Sequence, residues 1–154
     1  MNDLITSIGL MSGTSSDGID ASIIKSDGED EVHFLGDLFL PYDKEVKNYI
    51  RSLKDKINLV IDVEKNRHSI NDLEKKITLL HAKAVKEIIK KYKIEKSNIN
   101  LIGFHGHTIL HNFIEKKTIQ IGNGRLLSQL TSLSVINNFR ENDIKNGGQG
   151  APFV

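Results

Sequence analysis

Three stretches of this chain gather residue types that can do chemistry. The first is Gly13-Thr14-Ser15-Ser16-Asp17-Gly18-Ile19-Asp20. Its glycines can adopt φ > 0 and expose backbone N–H groups with no Cβ in the way. Three hydroxyls and a carboxylate lie between them, so amides and hydroxyls can cradle a phosphate while Asp17 stays close to Mg²⁺ or a Mg-bound water. The same composition also makes an ordinary polar turn. It is not a P-loop, because no Gly-Lys-Ser/Thr follows, and it is not a dinucleotide fingerprint. The second stretch, Gly103-Phe104-His105-Gly106-His107-Thr108, places imidazoles at the end of an apolar run. With His111 it resembles a metal cluster, yet spacings of two and four with no carboxylate or thiol among them do not suit zinc. The third is Asn138-Phe139-Arg140-Glu141-Asn142-Asp143 followed by Gly147-Gly148-Gln149-Gly150-Ala151-Pro152. An arginine and a carboxylate three residues apart read either as a surface ion pair beside a loop or as a charged site.

The surrounding pattern predicts what positions these groups. Apolar runs enter the first stretch (Leu4, Ile5, Ile8, Leu10) and leave it (Ile19, Ala21, Ile23, Ile24), which makes it the tip of a β-hairpin. Residues 31–40 read as a third strand with a bulge near Gly36 and Asp37, completing an antiparallel meander. Asp43 is placed to N-cap a helix whose apolar face is Val46, Tyr49, Ile50, Leu53 and Ile57. Residues 58–68 read as a connection or a continuing helix. Ser69 and Asp72 resemble a capping box opening a second helix, with Ile70, Leu73, Ile77, Leu80, Ala84 and Ile88 on one stripe. His81 and Lys83 lie in that helix, where a surface or core-edge role is favoured over a catalytic one. Residues 99–104 read as a buried strand ending in the histidines. A strand over 118–121, a turn at Gly122-Asn123-Gly124, a short helix carrying Leu126, Leu127 and Leu130, and a strand over 133–136 follow. The order predicts an α/β layer with a mixed sheet.

Composition narrows the classes. At 154 residues, 38% hydrophobic, 27% charged and a formal net charge of +1, the chain fits one domain and offers no electrostatic case for nucleic-acid or membrane binding. It has no cysteine, which removes disulfides and thiolate metal sites. No stretch approaches the roughly 18 apolar residues of a spanning helix, and the first residues do not read as a signal peptide. A cytoplasmic location is the expectation.

The string Met11-Ser12-Gly13-Thr14-Ser15-Ser16-Asp17-Gly18-Ile19-Asp20 resembles the phosphate-binding signature of the anhydro-N-acetylmuramic acid kinases, within the superfamily of actin, sugar kinases and heat-shock chaperones. Three further segments resemble that family in the same order. These are Gly103 to Thr108 for Gly-x-His-Gly-Gln-Thr, and Thr118 to Asn123 for Thr-x-Gln-Ile-Gly-Asp/Asn. The last is Asn138 to Asp143 with Gly147 to Pro152, for Asp-Phe-Arg-x-x-Asp and Gly-Gly-Gln-Gly-Ala-Pro. The resemblance implies an actin-like, ribonuclease H-like lobe: a mixed sheet with an antiparallel N-terminal meander, flanked by helices. It implies ATP at Gly13 to Asp20 and Mg²⁺ at Asp17. It further implies Asp143 as the base activating water, Arg140 steadying anionic groups or Asp143, and His105, Gly106 and His107 lining a sugar pocket. The implied reaction opens the 1,6-anhydro bridge of anhydro-N-acetylmuramic acid and phosphorylates O6, giving N-acetylmuramic acid 6-phosphate.

Departures qualify this. Asn138 replaces an acidic residue, and His107 replaces a glutamine. The family's chains are more than twice as long, so residues 1–154 are expected to be the N-terminal lobe of a two-lobed kinase, catalytic only with a second lobe in cis or in trans. The face meant for that lobe is expected to be exposed, which favours self-association such as a homodimer. The competing reading is a non-catalytic remnant or interaction module. A third, another phosphotransferase or nucleotide hydrolase of the same fold, fits the His-Gly and Gly-Gly-Gln-Gly-Ala-Pro segments less well.

Overall fold

Alternating apolar and polar residues give three antiparallel strands in succession: β1 (Ile5–Ser12), β2 (Gly18–Ser26) and β3 (Val32–Pro41). The computed structural model describes residues 3–112 and 114–150. Ile8, Leu10, Ile19, Ala21, Ile23 and Leu40 project to one face and are buried, whereas Met11, Phe34 and Phe39 are exposed. The expected bulge is present: Ile23 pairs with Gly36 and Ile24 with Phe34, which leaves Leu35 as the extra residue. Gly36 has no Cβ for a physical reason, because the Tyr92 ring occupies that space.

The helices cover the buried face. Asp43 caps α1 (Lys44–Lys54), accepting from the Val46 amide at 2.8 Å, and α1 buries Val46, Ile50 and Leu53. Ile57 lies beyond the helix end yet is still buried. Residues 58–68 are neither a plain connection nor a continuation of α1. They contain a separate short helix, α2 (Val60–Lys65), whose Asp62 carboxylate accepts from the amides of Asn58 and Leu59 at 3.2 and 3.0 Å.

The long helix α3 (Arg67–Tyr92) starts two residues before the expected Ser69 cap. Asn66 ends α2 and begins α3, its Nδ2 donating to the Asp62 carbonyl at 2.8 Å, so Ser69 falls inside the first turn. The predicted stripe is buried except Leu80, which is half-buried, and Thr78, His81, Ala82 and Val85 widen it. His81 is therefore a core residue, at 0% exposure, and not an edge residue. Lys83 is exposed and pairs with Glu87 at 3.7 Å.

The sheet's pivot is β4 (Leu101–Asn112), parallel to β1. It does not end at Phe104 as its apolar run predicts. Leu10 pairs with Phe104 but Ser12 pairs with His107, so a bulge at His105-Gly106 bends the strand and lets it continue. Gly106 takes φ 74° there, and a Cβ would strike the Ile121 carbonyl. Before the bulge β4 pairs in parallel with β6 (Val135–Asn137), and after it antiparallel with β5 (Lys117–Ile121). The resulting order is β3-β2-β1-β4-β5 with β6 beside β4.

Between β5 and β6 lies α4 (Gly124–Thr131), capped by Asn123, which accepts from the Leu126 amide at 2.9 Å. A one-turn helix, α5 (Glu141–Lys145), follows β6. Burying each large aliphatic side chain of this core contributes roughly 1.5–3 kcal/mol. The mixed sheet, its antiparallel meander and its flanking helices are the architecture expected. No described helix is long and apolar enough to cross a membrane.

Candidate functional site

The C-terminal ends of the three mutually parallel strands converge, and this is where α/β sheets place ligands. Ser12 ends β1, the 105–107 bulge breaks β4, and Asn137 ends β6, with Ser12 paired to His107 and Phe104 paired to Asn137. All three stretches singled out by residue type are brought to this end.

Residues 13–17 form the hairpin tip. The Ser16 amide donates to the Gly13 carbonyl at 3.0 Å, and Ser16 itself takes the left-handed conformation, φ 59°. Neither Gly13 nor Gly18 does so, contrary to expectation. Gly18 is required by packing: a Cβ would strike the Leu40 carbonyl and come within 2.7 Å of the Phe39 ring. At Gly13 the nearest atom to such a Cβ is Ser15 Oγ, 3.7 Å away, so its backbone is open to approach. Two lysines of α1, unremarked in the sequence, reach the tip. Lys54 Nζ donates to the Thr14 carbonyl at 3.2 Å, and Lys47 Nζ stands 3.8 Å from Asp17 Oδ1.

Asp17 and Asp20, three residues apart, are separated by the strand. Asp17 faces α1, while Asp20 lies on the uncovered face, bordering a shallow cavity with Gly9, Met11, Ser22, Gly103 and Phe139. Among the described residues no three His, Asp or Glu side chains gather to hold a metal. An exposed carboxylate beside hydroxyls nevertheless fits Mg²⁺, which keeps much of its water and takes phosphate oxygens besides one or two carboxylates.

Behind the tip is a buried chain of polar groups. Tyr42 Oη–H donates to Ser12 Oγ at 2.8 Å, and Ser12 Oγ lies 2.9 Å from Nδ1 of His107. The Tyr42 amide donates to the Asp17 carbonyl at 2.9 Å. Burial pushes the Tyr42 phenol up to about 12. Burial also lowers His107 to about 4, with the positive Lys54 adding to the effect. His107 is at 0% exposure, and among the described residues its Nε2 has no hydrogen-bond partner.

His105 points elsewhere. Its Nε2 accepts from Arg140 Nε at 2.9 Å, and its Nδ1 lies 3.1 Å from the Gly106 carbonyl. Burial, with Arg140 beside it, holds its pKa below the ordinary value. His105 borders a cavity of about 260 Å³ with Gln120, Gly122, Asn137 and Asn138. Gln120 and Asn138 also border a neighbouring cleft of about 320 Å³, shared with Val60, Thr118, Glu141 and Lys145. The histidines are thus dispersed: His105 on Arg140, His107 in the core, and His111 exposed near the end of β4.

Asp143 does not meet Arg140 through any hydrogen bond or ion pair found among the described residues. Its Oδ2 accepts from the Gly150 amide at 2.7 Å, and the Gly148 amide donates to its carbonyl at 2.9 Å. The glycine run is shaped by this carboxylate. Gly147 and Gly150 take φ 90° and 68°, and a Cβ on Gly148 would collide with the Asp143 side chain. Ala151 and Pro152, which complete the motif, lie outside the described residues. Asn138 adopts φ 64° and donates to the Glu141 carboxylate, which also pairs with Lys145 at 2.7 Å.

Comparison with known proteins adds an independent line. Relatives named anhydro-N-acetylmuramic acid kinase match the whole chain: 53% identity over 154 residues in Pelagibacter ubique, 40% over 157 in Rhizobium etli and 38% over 154 in Agrobacterium fabrum. The match covers 40%, 42% and 41% of those proteins respectively, so the chain spans about two-fifths of their length. The sequence model of the family described as anhydro-N-acetylmuramic acid kinase matches residues 5–154, which is the whole sheet and every segment of the site, and the chain belongs to that family.

Proposed function

We propose that residues 1–154 are the N-terminal lobe of an ATP-dependent kinase that opens 1,6-anhydro-N-acetylmuramic acid with water and phosphorylates O6. The product is N-acetylmuramic acid 6-phosphate. A second lobe, in cis or in trans, completes the cleft. The observation that carries this reading is the convergence of the 13–17 tip, the 105–107 bulge and the Arg140–Asp143 segment at one end of the sheet, in a chain of this family.

In this reading the chain mainly positions groups and offsets charge, since phosphoryl transfer needs little covalent help from protein. The amides and hydroxyls of Gly13 to Asp17 hold the ATP phosphates, with Lys54 adding positive charge at the tip. Asp17 would hold Mg²⁺, and the ion would supply neutralisation of phosphate charge. Asp143 accepts the proton of the water attacking C1, and the O6 released by bridge opening then receives the γ-phosphoryl group. Arg140, oriented by His105, steadies an anionic group of the sugar at the cavity bordered by Gln120 and Asn138.

The non-catalytic alternative draws on Asn138, which lacks the acidic group and is engaged by Glu141. ADP release from Mg-ATP with 1,6-anhydro-N-acetylmuramic acid separates the two readings. It is measured for this chain alone and with the remaining portion of the Pelagibacter relative supplied separately. Sugar-dependent release only in the combined sample is expected. Silence in both, from folded protein, supports the non-catalytic reading.

A further inference from the structure

In the short hairpin tip Thr14, Ser15 and Asp17 are exposed while Ser16 is buried, yet a phosphate cradle needs its donors fixed before the ligand arrives, because ordering them on binding subtracts from affinity. Apart from Ser16, the side chains of the tip are exposed. Its two ends are instead tied to a buried polar chain. Ser12, the last residue of β1, shares its hydroxyl with Tyr42 at 2.8 Å and His107 at 2.9 Å, and all three side chains are buried. The Tyr42 amide holds the Asp17 carbonyl at the other end of the tip. Tyr42 thus grips both ends of a five-residue loop, while His107 anchors the same hydroxyl to the bulge in β4.

We infer that Tyr42 and His107 are positioning residues, which act through Ser12 to hold the 13–17 tip in place against the β4 bulge and preset it for a polyphosphate. The inference rests on the phosphate-binding reading of the tip. It also gives His107 a task in this chain. A glutamine there, as in the family motif, offers a polar group of similar reach to Ser12, whereas an apolar residue of similar size does not.

The test uses the ¹⁵N-labelled chain and two reporter amides, Ser16 (bonded to the Gly13 carbonyl) and Tyr42 (bonded to the Asp17 carbonyl). Tyr42→Phe and His107→Leu are expected to speed hydrogen exchange at both by about tenfold, the loss of roughly one hydrogen bond's net stabilisation. Exchange in α3 should stay unchanged, and His107→Gln should remain close to the parent. Unchanged tip exchange in both variants overturns the inference. So does acceleration spread equally through α3, which would mark a general structural role.

Titration with Mg²⁺ and inorganic tripolyphosphate, followed by amide shifts at 13–17, reads the preset. Several-fold weaker binding by Tyr42→Phe is expected, and equal binding overturns the preset. If the parent chain shows no shifts even with the remaining portion of the Pelagibacter relative added, the phosphate reading of the tip fails and the preset fails with it, while the exchange data still decide whether the relay orders the tip.

Discussion

Arg140 Nε lies 2.9 Å from Nε2 of His105, joining the segment after β6 to the bulge in β4. Arginine carries only donors, so Nε2 must be the acceptor and the ring proton sits on Nδ1, which donates to the Gly106 carbonyl at 3.1 Å. One contact therefore fixes a tautomer, orients a guanidinium and braces the bulge.

The neutral form of His105 is what this arrangement stabilises. Burial first, and the positive charge of Arg140 second, hold its pKa below 6.5. Arg140→Met removes the second cause only, so the pKa should rise without regaining its ordinary value. Imidazole ¹⁵N shifts followed against pH check both statements. A proton on Nε2 in the parent, or a pKa indifferent to Arg140→Met, would contradict them.

Acid should destabilise the fold through two other histidines. Burial lowers both His81 and His107 from 6.5 to about 4. Between those values the unfolded chain binds more protons than the folded one. Their stabilising contribution is thus complete above pH 6.5 and is lost as pH falls towards 4, at about 1.4 kcal/mol per pH unit for each. Replacing His81, whose Nε2 has no partner among the described residues, by Phe should flatten that dependence by about half. Urea midpoints at pH 7 and pH 5 measure it, and an undiminished slope in His81→Phe would remove His81 from the account.

The parts of this fold that were legible in the sequence are those encoded locally. The hairpin and its tip, the Asp43 cap, the α3 stripe and the turn into α4 follow from neighbours within four residues. The apolar run of β4 stops at Gly106 and the histidines, whereas a bulge carries the strand through them. Ser69 matches a capping pattern that puts the start of α3 too late, because Asn66 joins two helices. No periodicity announced α5, which is one turn long. The Ser12–Tyr42–His107 chain was invisible for a different reason. Its members stand 30 and 95 residues apart: the register of β1 on β4 brings Ser12 to His107, and the pairing of β2 with β3 brings Tyr42 to the same end. The lysines at the tip were hidden likewise, since Lys47 and Lys54 read as ordinary solvated helix residues.

The glycine run after α5 yields a sharper test of Asp143. Because a Cβ on Gly148 would occupy the space of the Asp143 carboxylate, Gly148→Ala must push one of them aside. The bond from the Gly150 amide should break, and its resonance should move upfield towards the values of free amides. On the proposed reading of Asp143 as the base, turnover of the two-lobed protein should fall at least about tenfold, since a displacement of about 1 Å at a reacting group is costly, with little change in apparent ATP affinity. Near-normal turnover with a shifted Gly150 amide would count against Asp143 as the proposed base.

Asn138 and Glu141 should prove to be a coupled pair. Asn138 sits in the left-handed region, which asparagine tolerates better than most residues, and its amide donates to Glu141. Asn138→Asp restores the family's acidic residue but sets two carboxylates against each other, with Lys145 already shared by Glu141. The single substitution should therefore lower the melting temperature, more at low salt than at high salt. Glu141→Gln in the same chain should recover the loss by supplying an amide donor to the new carboxylate. A double-mutant cycle across the two positions measures the coupling. Strict additivity would mean that Asn138 and Glu141 are independent, and that an aspartate at 138 is excluded by something other than its neighbour's charge.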